Sequence, residues 1–116
     1  MLVVLFESRT LGDVNEAAYE EAFRQMLERV HEVPGFVDFA SYSGADGAEL
    51  AVARFEDDLA LARWREHEEH VCTRERGREE FFEAYDITVA SVVRQYSWRR
   101  TPGERLCSQS AVGGLV

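Results

Sequence analysis

The stretch "FVDFASYSGADGAELAVARF", residues 36–55, decides the predicted fold. Its two ends, residues 36–42 and 49–55, are short runs rich in apolar and aromatic side chains, as strands are. The connecting "SGADGA" contains two glycines and an Asp-Gly pair, which are the residues that tight hairpin turns favour. The stretch therefore predicts a β-hairpin in the middle of the chain.

The segments on either side of this hairpin have the pattern of amphipathic helices. In residues 15–31 the apolar side chains recur at i, i+4, i+7, i+8 and i+11, and Pro34-Gly35 ends the pattern. After the hairpin, two aspartates of cap-like character open a second predicted helix over residues 57–71. The hairpin is thus expected to lie between two helices.

The outermost regular segments are predicted to be strands. Residues 2–9, "LVVLFESR", are rich in branched and aromatic residues, and residues 85–98, "YDITVASVVRQYSW", are dominated by β-branched and aromatic residues. A glycine break and "REEFF" predict a short helical turn before the last strand. The order strand, helix, strand, strand, helix, strand predicts a ferredoxin-like α+β sandwich, with both helices on one face of an antiparallel sheet.

The other face of this sheet needs a cover that a chain of 116 residues does not offer. We therefore predict a homodimer that packs sheet against sheet, and the long last strand is expected to reach onto the partner. Residues 1–98 form the predicted domain. Residues 99–116 contain proline and several glycines, and are predicted to be a tail or arm.

Composition and charge exclude several classes of protein. The net charge of -9 opposes a nucleic-acid backbone, so no nucleic-acid partner is predicted. The longest apolar run is too short to cross a membrane and lacks the features of a signal peptide, which predicts a cytoplasmic protein without a membrane partner. Cys72 and Cys107 have no metal-binding spacing and are expected to be reduced. No metal site is predicted.

Several motifs together resemble the antibiotic biosynthesis monooxygenase family of dimeric α+β barrel proteins. They are "VVLFE" at the start, "PGF" before the second strand, a tryptophan followed by "H..H", and "GREEFF..Y.I.VA.VVR.Y" near the end. The resemblance implies the ferredoxin-like fold and a dimer. It also implies a function among cofactor-independent oxygenases of quinol-like aromatics, haem-degrading enzymes and relatives of unknown substrate.

Trp64 and His67 are predicted to be catalytic residues on the apolar stripe of the second helix. A large aromatic residue there is either a core anchor or the wall of an aromatic pocket, and both interpretations of Trp64 stay open. An ionisable ring on an apolar stripe needs a partner when it is buried, and a ligand pocket supplies one. His70, at the border of the same stripe, is predicted to be a substrate-binding or rim residue.

Arg94 is the third predicted catalytic residue, because it lies within the apolar last strand. Burial there would oblige its guanidinium to find an anion, either Glu7 on a neighbouring strand or an acidic ligand. Strand aromatics are predicted to line the same cavity as substrate-binding residues, and they are Phe39, Tyr42 and Tyr85. The arginine-rich run at residues 74–78 is flanked by glutamates, which favours a solvated face, although such a run can also hold a carboxylate.

No catalytic nucleophile, phosphate loop or carboxylate pair stands out in the sequence, so the predicted chemistry works through the substrate. In this interpretation His67 removes a proton from a small phenol or quinol, and the resulting anion reduces dioxygen in a pocket that excludes water. No cofactor is predicted. The alternative is a haem-binding or haem-degrading protein with His67 or His70 on iron. A non-catalytic ligand-binding or stress-response module is the third interpretation.

Overall fold

The computed structural model describes residues 1–67 and 74–103, and these residues have the predicted order of elements. The strands are β1 (Leu2–Thr10), β2 (Phe36–Ser43), β3 (Glu49–Phe55) and β4 (Phe82–Ser91). The helices are α1 (Glu16–Val30), α2 (Asp58–Glu66) and a π-helix (Gly77–Phe81). The strands form one antiparallel sheet in the order β2-β3-β1-β4, which confirms the predicted ferredoxin-like α+β fold.

Side-chain caps start both α-helices. The side chain of Asn15 accepts a hydrogen bond of 3.0 Å from the backbone N–H of Ala18, and that of Asp57 accepts one of 2.9 Å from Ala60. Each cap satisfies a backbone donor that the first helical turn leaves without a partner. These polar residues explain why the helix starts could be predicted to within a residue.

Gly35 brings the end of the first helical segment close to the second helix. Its φ is +91°, and a Cβ atom at this position would lie 2.5 Å from the Cβ of Ala60. The carbonyl of Gly35 also accepts a hydrogen bond of 2.8 Å from the N–H of Glu56. Only glycine combines this backbone conformation with so close an approach, so the "PG" pair both ends one element and permits the next to dock.

The second helix is shorter than predicted, because α2 ends at Glu66 and does not continue to Val71. His67 follows with an extended backbone, ψ 131°, and its N–H bonds the carbonyl of Trp64. Helices in proteins are stabilised mainly by packing an apolar face, and residues 65–70 contain no apolar side chain.

None of the helices in the described residues is long and apolar enough to cross a membrane.

The last strand is displaced from its predicted bounds of residues 85–98. It starts at Phe82 and ends at Ser91, which lies opposite Leu2, the first residue of β1. The N–H of Val92 makes one more bond of 3.0 Å to the carbonyl of Met1, and residues 92–101 have no regular structure. The prediction was wrong because the end of this strand is set by its neighbour in the sheet, not by its own β-branched residues.

Both α-helices cover the same face of the sheet, which we call the helix face. Leu2 of β1 packs in the core with Val30 of α1 and Trp64 of α2. The other buried members of this core cluster are Val33, Phe55, Ala60 and Leu61. Phe55 is directly opposite Leu2 on β3, and opposite residues of an antiparallel pair share a face. The aliphatic core therefore lies at the end of the sheet where β1 begins.

Alternate residues of the strands point to the other side, which we call the open face. It carries Val3 and Leu5 of β1, Leu50 and Val52 of β3, and Tyr42 of β2. Neither α1 nor α2 lies on this side, and Tyr42 is 58% exposed. The open face thus has no layer from α1 or α2, and its aliphatic side chains range from buried, as Val52 at 9% exposure, to half-buried, as Leu5.

Candidate functional site

Trp64 occupies the centre of the helical layer and is only 7% exposed. Its neighbours in the core cluster are aliphatic residues of β1, α1 and α2 together with Phe55. This environment supports the core interpretation of the tryptophan. His67 adjoins its ring, since the two ring centroids are 5.8 Å apart and the planes are inclined by 34°.

His67 is the C-terminal capping residue of α2 and is half-buried. Its backbone N–H donates a hydrogen bond of 3.1 Å to the carbonyl of Trp64, so the turn that ends the helix also fixes the imidazole beside the indole. The structure therefore brings together two of the three residues predicted to be catalytic. It does so through a helix end, not through the continuous helical stripe on which the prediction was based.

Arg94 does not occupy the predicted strand position. It lies after the end of β4, its side chain is exposed, and its Nη1 donates a hydrogen bond of 3.3 Å to the hydroxyl of Tyr96. The expectation of an arginine buried in an apolar strand is therefore wrong. Its charge is solvated, so no buried anion is needed to balance it.

Phe39 and Tyr85, predicted to line a substrate cavity, belong to an aromatic cluster on the helix face. Phe39 contacts Phe23 of α1 at 5.5 Å between ring centroids, and Tyr85 stacks on Phe6 of β1 at 5.2 Å. The remaining members are Tyr19, Phe81 and Phe82. This aromatic cluster covers the end of the sheet away from Trp64, so the predicted residues divide between two regions.

The other two predicted substrate-binding residues lie elsewhere. Tyr42 is on the open face, opposite Leu50 of β3, and its side chain is largely exposed. His70 lies outside the residues that the structure describes. Tyr42 therefore does not share a cavity wall with Phe39 or Tyr85.

Polar side chains lie at one edge of the aromatic cluster, and they were not among the residues predicted from the sequence. Burial, and to a smaller extent the charge of Glu49, raise the pKa of Tyr19, which keeps its phenol neutral and able to donate a hydrogen bond. The Ser43 hydroxyl donates to the Glu49 carboxylate at 2.9 Å. Ser8, opposite Glu49 on β1, is a polar residue of the core with only 5% exposure. The signal in the sequence was a tyrosine within an apolar helical stripe.

The π-helix before β4 positions two rings of the aromatic cluster. Its first residue, Gly77, is buried, and a Cβ there would lie 3.0 Å from the ring of Phe82. The carbonyl of Phe81 accepts a hydrogen bond of 2.8 Å from Leu11. Because π-helical turns are rare and often occur at functional sites, this segment is a feature that the prediction of a plain helical turn did not capture.

Neither of two clefts on the described surface lies beside the pair of Trp64 and His67. One, of about 270 Å³, lies at the hairpin turn between Glu7 and Glu49. The other, of about 330 Å³, lies at the end of α2 and is lined by Ala62, Arg65, Glu66 and Arg74. Trp64 and His67 are not among the described residues that line either cleft. Within residues 1–67 and 74–103, no three His, Cys, Asp or Glu side chains are grouped to hold a metal ion.

A family model described as antibiotic biosynthesis monooxygenase matches residues 1–76. The chain belongs to the antibiotic biosynthesis monooxygenase family. Membership is also supported by protein YqjZ of Bacillus subtilis, which is 35% identical over 92 residues that make up 79% of this chain and 79% of that protein. The motif resemblance noted in the sequence is thereby confirmed.

Solved structures support the fold of this family member independently of its sequence. Rv0793 from Mycobacterium tuberculosis superposes with a TM-score of 0.72 at 18% identity, over 83% of this chain and 98% of that one. SnoaB, a cofactor-independent oxygenase from Streptomyces nogalater, gives a TM-score of 0.69 at 16% identity, over 81% of this chain and 94% of that one. At these identities the likeness establishes the fold alone.

Proposed function

We propose that this antibiotic biosynthesis monooxygenase family member oxidises a small, electron-rich aromatic molecule with dioxygen and without a bound cofactor. The observation that carries the proposal is the placement of the half-buried His67 imidazole beside the buried indole of Trp64, at 5.8 Å between ring centroids. An acid–base group next to an apolar aromatic floor is suited to deprotonating a phenol or quinol. SnoaB, with the same fold, is itself described as a cofactor-independent oxygenase.

The proposed reaction needs few protein groups. His67 accepts a proton from the substrate hydroxyl, and the resulting anion is a stronger electron donor than the neutral molecule. Dioxygen takes up electrons from this anion; one oxygen atom enters the substrate and the other leaves as water. Trp64 supports the imidazole of His67 through the contact between their rings, which holds the proposed base at the edge of the core.

Oxygen uptake tests the proposed function directly. We expect the protein, stripped of metals and flavin, to consume dioxygen when dihydroxynaphthalene or an anthrone is added, at a rate proportional to protein concentration. Product analysis by mass spectrometry with labelled dioxygen should find one labelled oxygen atom in the product. Uptake no faster than that of the substrate in buffer would refute the proposal.

We also propose that the protein acts as a homodimer, in which the open face of one copy packs on that of another. Support comes from the apolar side chains of this face and from residues 92–101, the segment after β4. We call this segment the arm; it starts before the tail predicted at residues 99–116. Val93 on the arm is 91% exposed, and Tyr96 and Trp98 are exposed as well. Large apolar side chains so exposed are typical of interaction surfaces. Arg94 is carried on this arm, so we assign it to the contact between copies.

Substitution of Leu5 by glutamate tests the dimer. Leu5 lies on the open face in the middle of the sheet, opposite Val52, and a charge there should prevent close packing of two sheets. We expect sedimentation equilibrium at micromolar concentration to give a dimer for the natural chain and a monomer for Leu5→Glu. Ile87→Glu is the matched control, because Ile87 is exposed on the helix face of β4. A monomeric natural chain would refute the dimer.

A further inference from the structure

The arm carries positive charge in a chain that is acidic as a whole. It contains three arginines, Arg94, Arg99 and Arg100, and neither aspartate nor glutamate. It lies within residues 87–103, which are the longest stretch without an acidic residue in this chain of net charge -9. The three arginines and the apolar side chains between them are exposed. The arm is therefore suited to bind a surface that is both apolar and negatively charged.

The open face carries such a negative charge at the end of the sheet next to the hairpin turn. Glu7 of β1 and Asp86 of β4 are directly opposite each other, and both are exposed. We call these two residues the acidic pair. Like charges in this arrangement destabilise a sheet, and neither carboxylate forms an ion pair in the part of the chain that the structure describes. Arg9, two positions after Glu7, is bound to Asp46. The acidic pair is thus favourably placed to receive a cation from another molecule.

The arm and the acidic pair lie at opposite ends of the sheet. The arm follows Ser91, which is opposite Leu2 at the start of β1, whereas Glu7 lies towards the other end of that strand. Two copies whose open faces pack with their ends exchanged therefore bring the arm of each copy to the acidic pair of the other. Both contacts form together, as a two-fold symmetric dimer requires. Packing without this exchange would place the two acidic pairs next to each other, which like charges oppose.

We propose that the arm of each copy binds over the acidic pair of the second copy, with Arg94 bound to Glu7 of the partner subunit. Tyr96 and Trp98, which are 73% and 60% exposed, pack on the apolar part of the same open face. The assignment rests on the proposed dimer, for which it names the surface that the arm covers. The ion pairs select the relative orientation of the two sheets, and the apolar contacts supply most of the affinity.

Exchange of the two charges tests this contact, with the dimer Kd measured by sedimentation equilibrium at low ionic strength. We expect Arg94→Glu and Glu7→Arg each to raise the Kd about tenfold or more, because each places like charges together at two symmetric positions. The variant with both substitutions should return to within about threefold of the natural chain, since the opposite charges face each other again. Circular dichroism will establish that the variants are folded.

Arg29→Glu is the matched control for Arg94→Glu, because it makes the same change in net charge. Arg29 is exposed on α1, on the other side of the sheet, and its substitution should leave the Kd within about twofold, since distant exposed charges are screened.

Two results would overturn the contact while leaving the proposed dimer intact. They are a dimer whose Kd is unchanged by Arg94→Glu, and a double variant that dimerises no better than the weaker of the single variants. A natural chain that is monomeric would refute the dimer and the contact together. Oxidation of the aromatic substrate by such a monomer would keep the proposed reaction.

Discussion

Replacing Trp64 with alanine is expected to lower the free energy of unfolding by about 3–5 kcal/mol, as removal of a large buried aromatic side chain does. Trp64 is 7% exposed and packs against residues from both α-helices and from β1 and β3, so its removal leaves a void that several elements share. A domain of this size is stabilised by only about 5–15 kcal/mol in total. Urea titration followed by circular dichroism should show a much lower midpoint with an unchanged slope.

Leu59→Ala provides the matched control for this substitution. Leu59 lies on the same helix but is 59% exposed, and the expected change in stability is within about 0.5 kcal/mol. The comparison also decides between the two interpretations of the tryptophan. A loss below about 1 kcal/mol in Trp64→Ala would mean that the indole borders a cavity and is not an anchor of the core.

The parts of the fold that could be predicted are those encoded by local chemistry. Caps such as Asn15 and Asp57 satisfy backbone donors within their own helices, and Gly35 is required by one local backbone conformation. The hairpin of β2 and β3 has bounds within one residue of those predicted, because its alternation and its turn lie in one short stretch. Local signals of this kind need no knowledge of distant neighbours.

The errors occur where a distant part of the chain sets the boundary. Residues 92–98 have the composition of a strand, yet β4 ends at Ser91, the residue opposite Leu2 at the start of β1. This error misplaced Arg94 as well, since the prediction of its burial depended on the strand.

From the sequence it was possible to predict that Trp64 and His67 lie close together. It was not possible to predict which other side chains lie near them. Helical spacing placed Trp64 and His67 on one stripe, with Trp64 open between a core anchor and a pocket wall, and the structure puts the two rings in contact and Trp64 in the core. The spacing could not show that Tyr85 would instead join Phe6 and Phe82 at the other end of the sheet. That partition depends on which strands are neighbours and on their register, which spacing along one strand does not give.

Replacing His67 with alanine is expected to reduce turnover of dihydroxynaphthalene by about 100-fold or more, because general-base catalysis typically contributes at least that factor. Binding of the substrate should change little, so the loss should appear in kcat and not in KM. His31→Ala is the matched control. His31 is exposed at the end of α1, where its Nδ1 lies 2.6 Å from the carbonyl of Leu27, and we expect its removal to leave the rate unchanged.

The variant His67→Phe separates proton transfer from packing. The imidazole lies against the indole of Trp64, so alanine removes both a base and a ring contact, whereas phenylalanine restores an aromatic ring without a basic nitrogen. If His67 acts as the base, the phenylalanine variant should be as slow as the alanine variant while its stability returns towards that of the natural chain. If His67 only supports Trp64, turnover should recover together with stability. Recovery of turnover in His67→Phe would therefore exclude a role for this histidine in proton transfer.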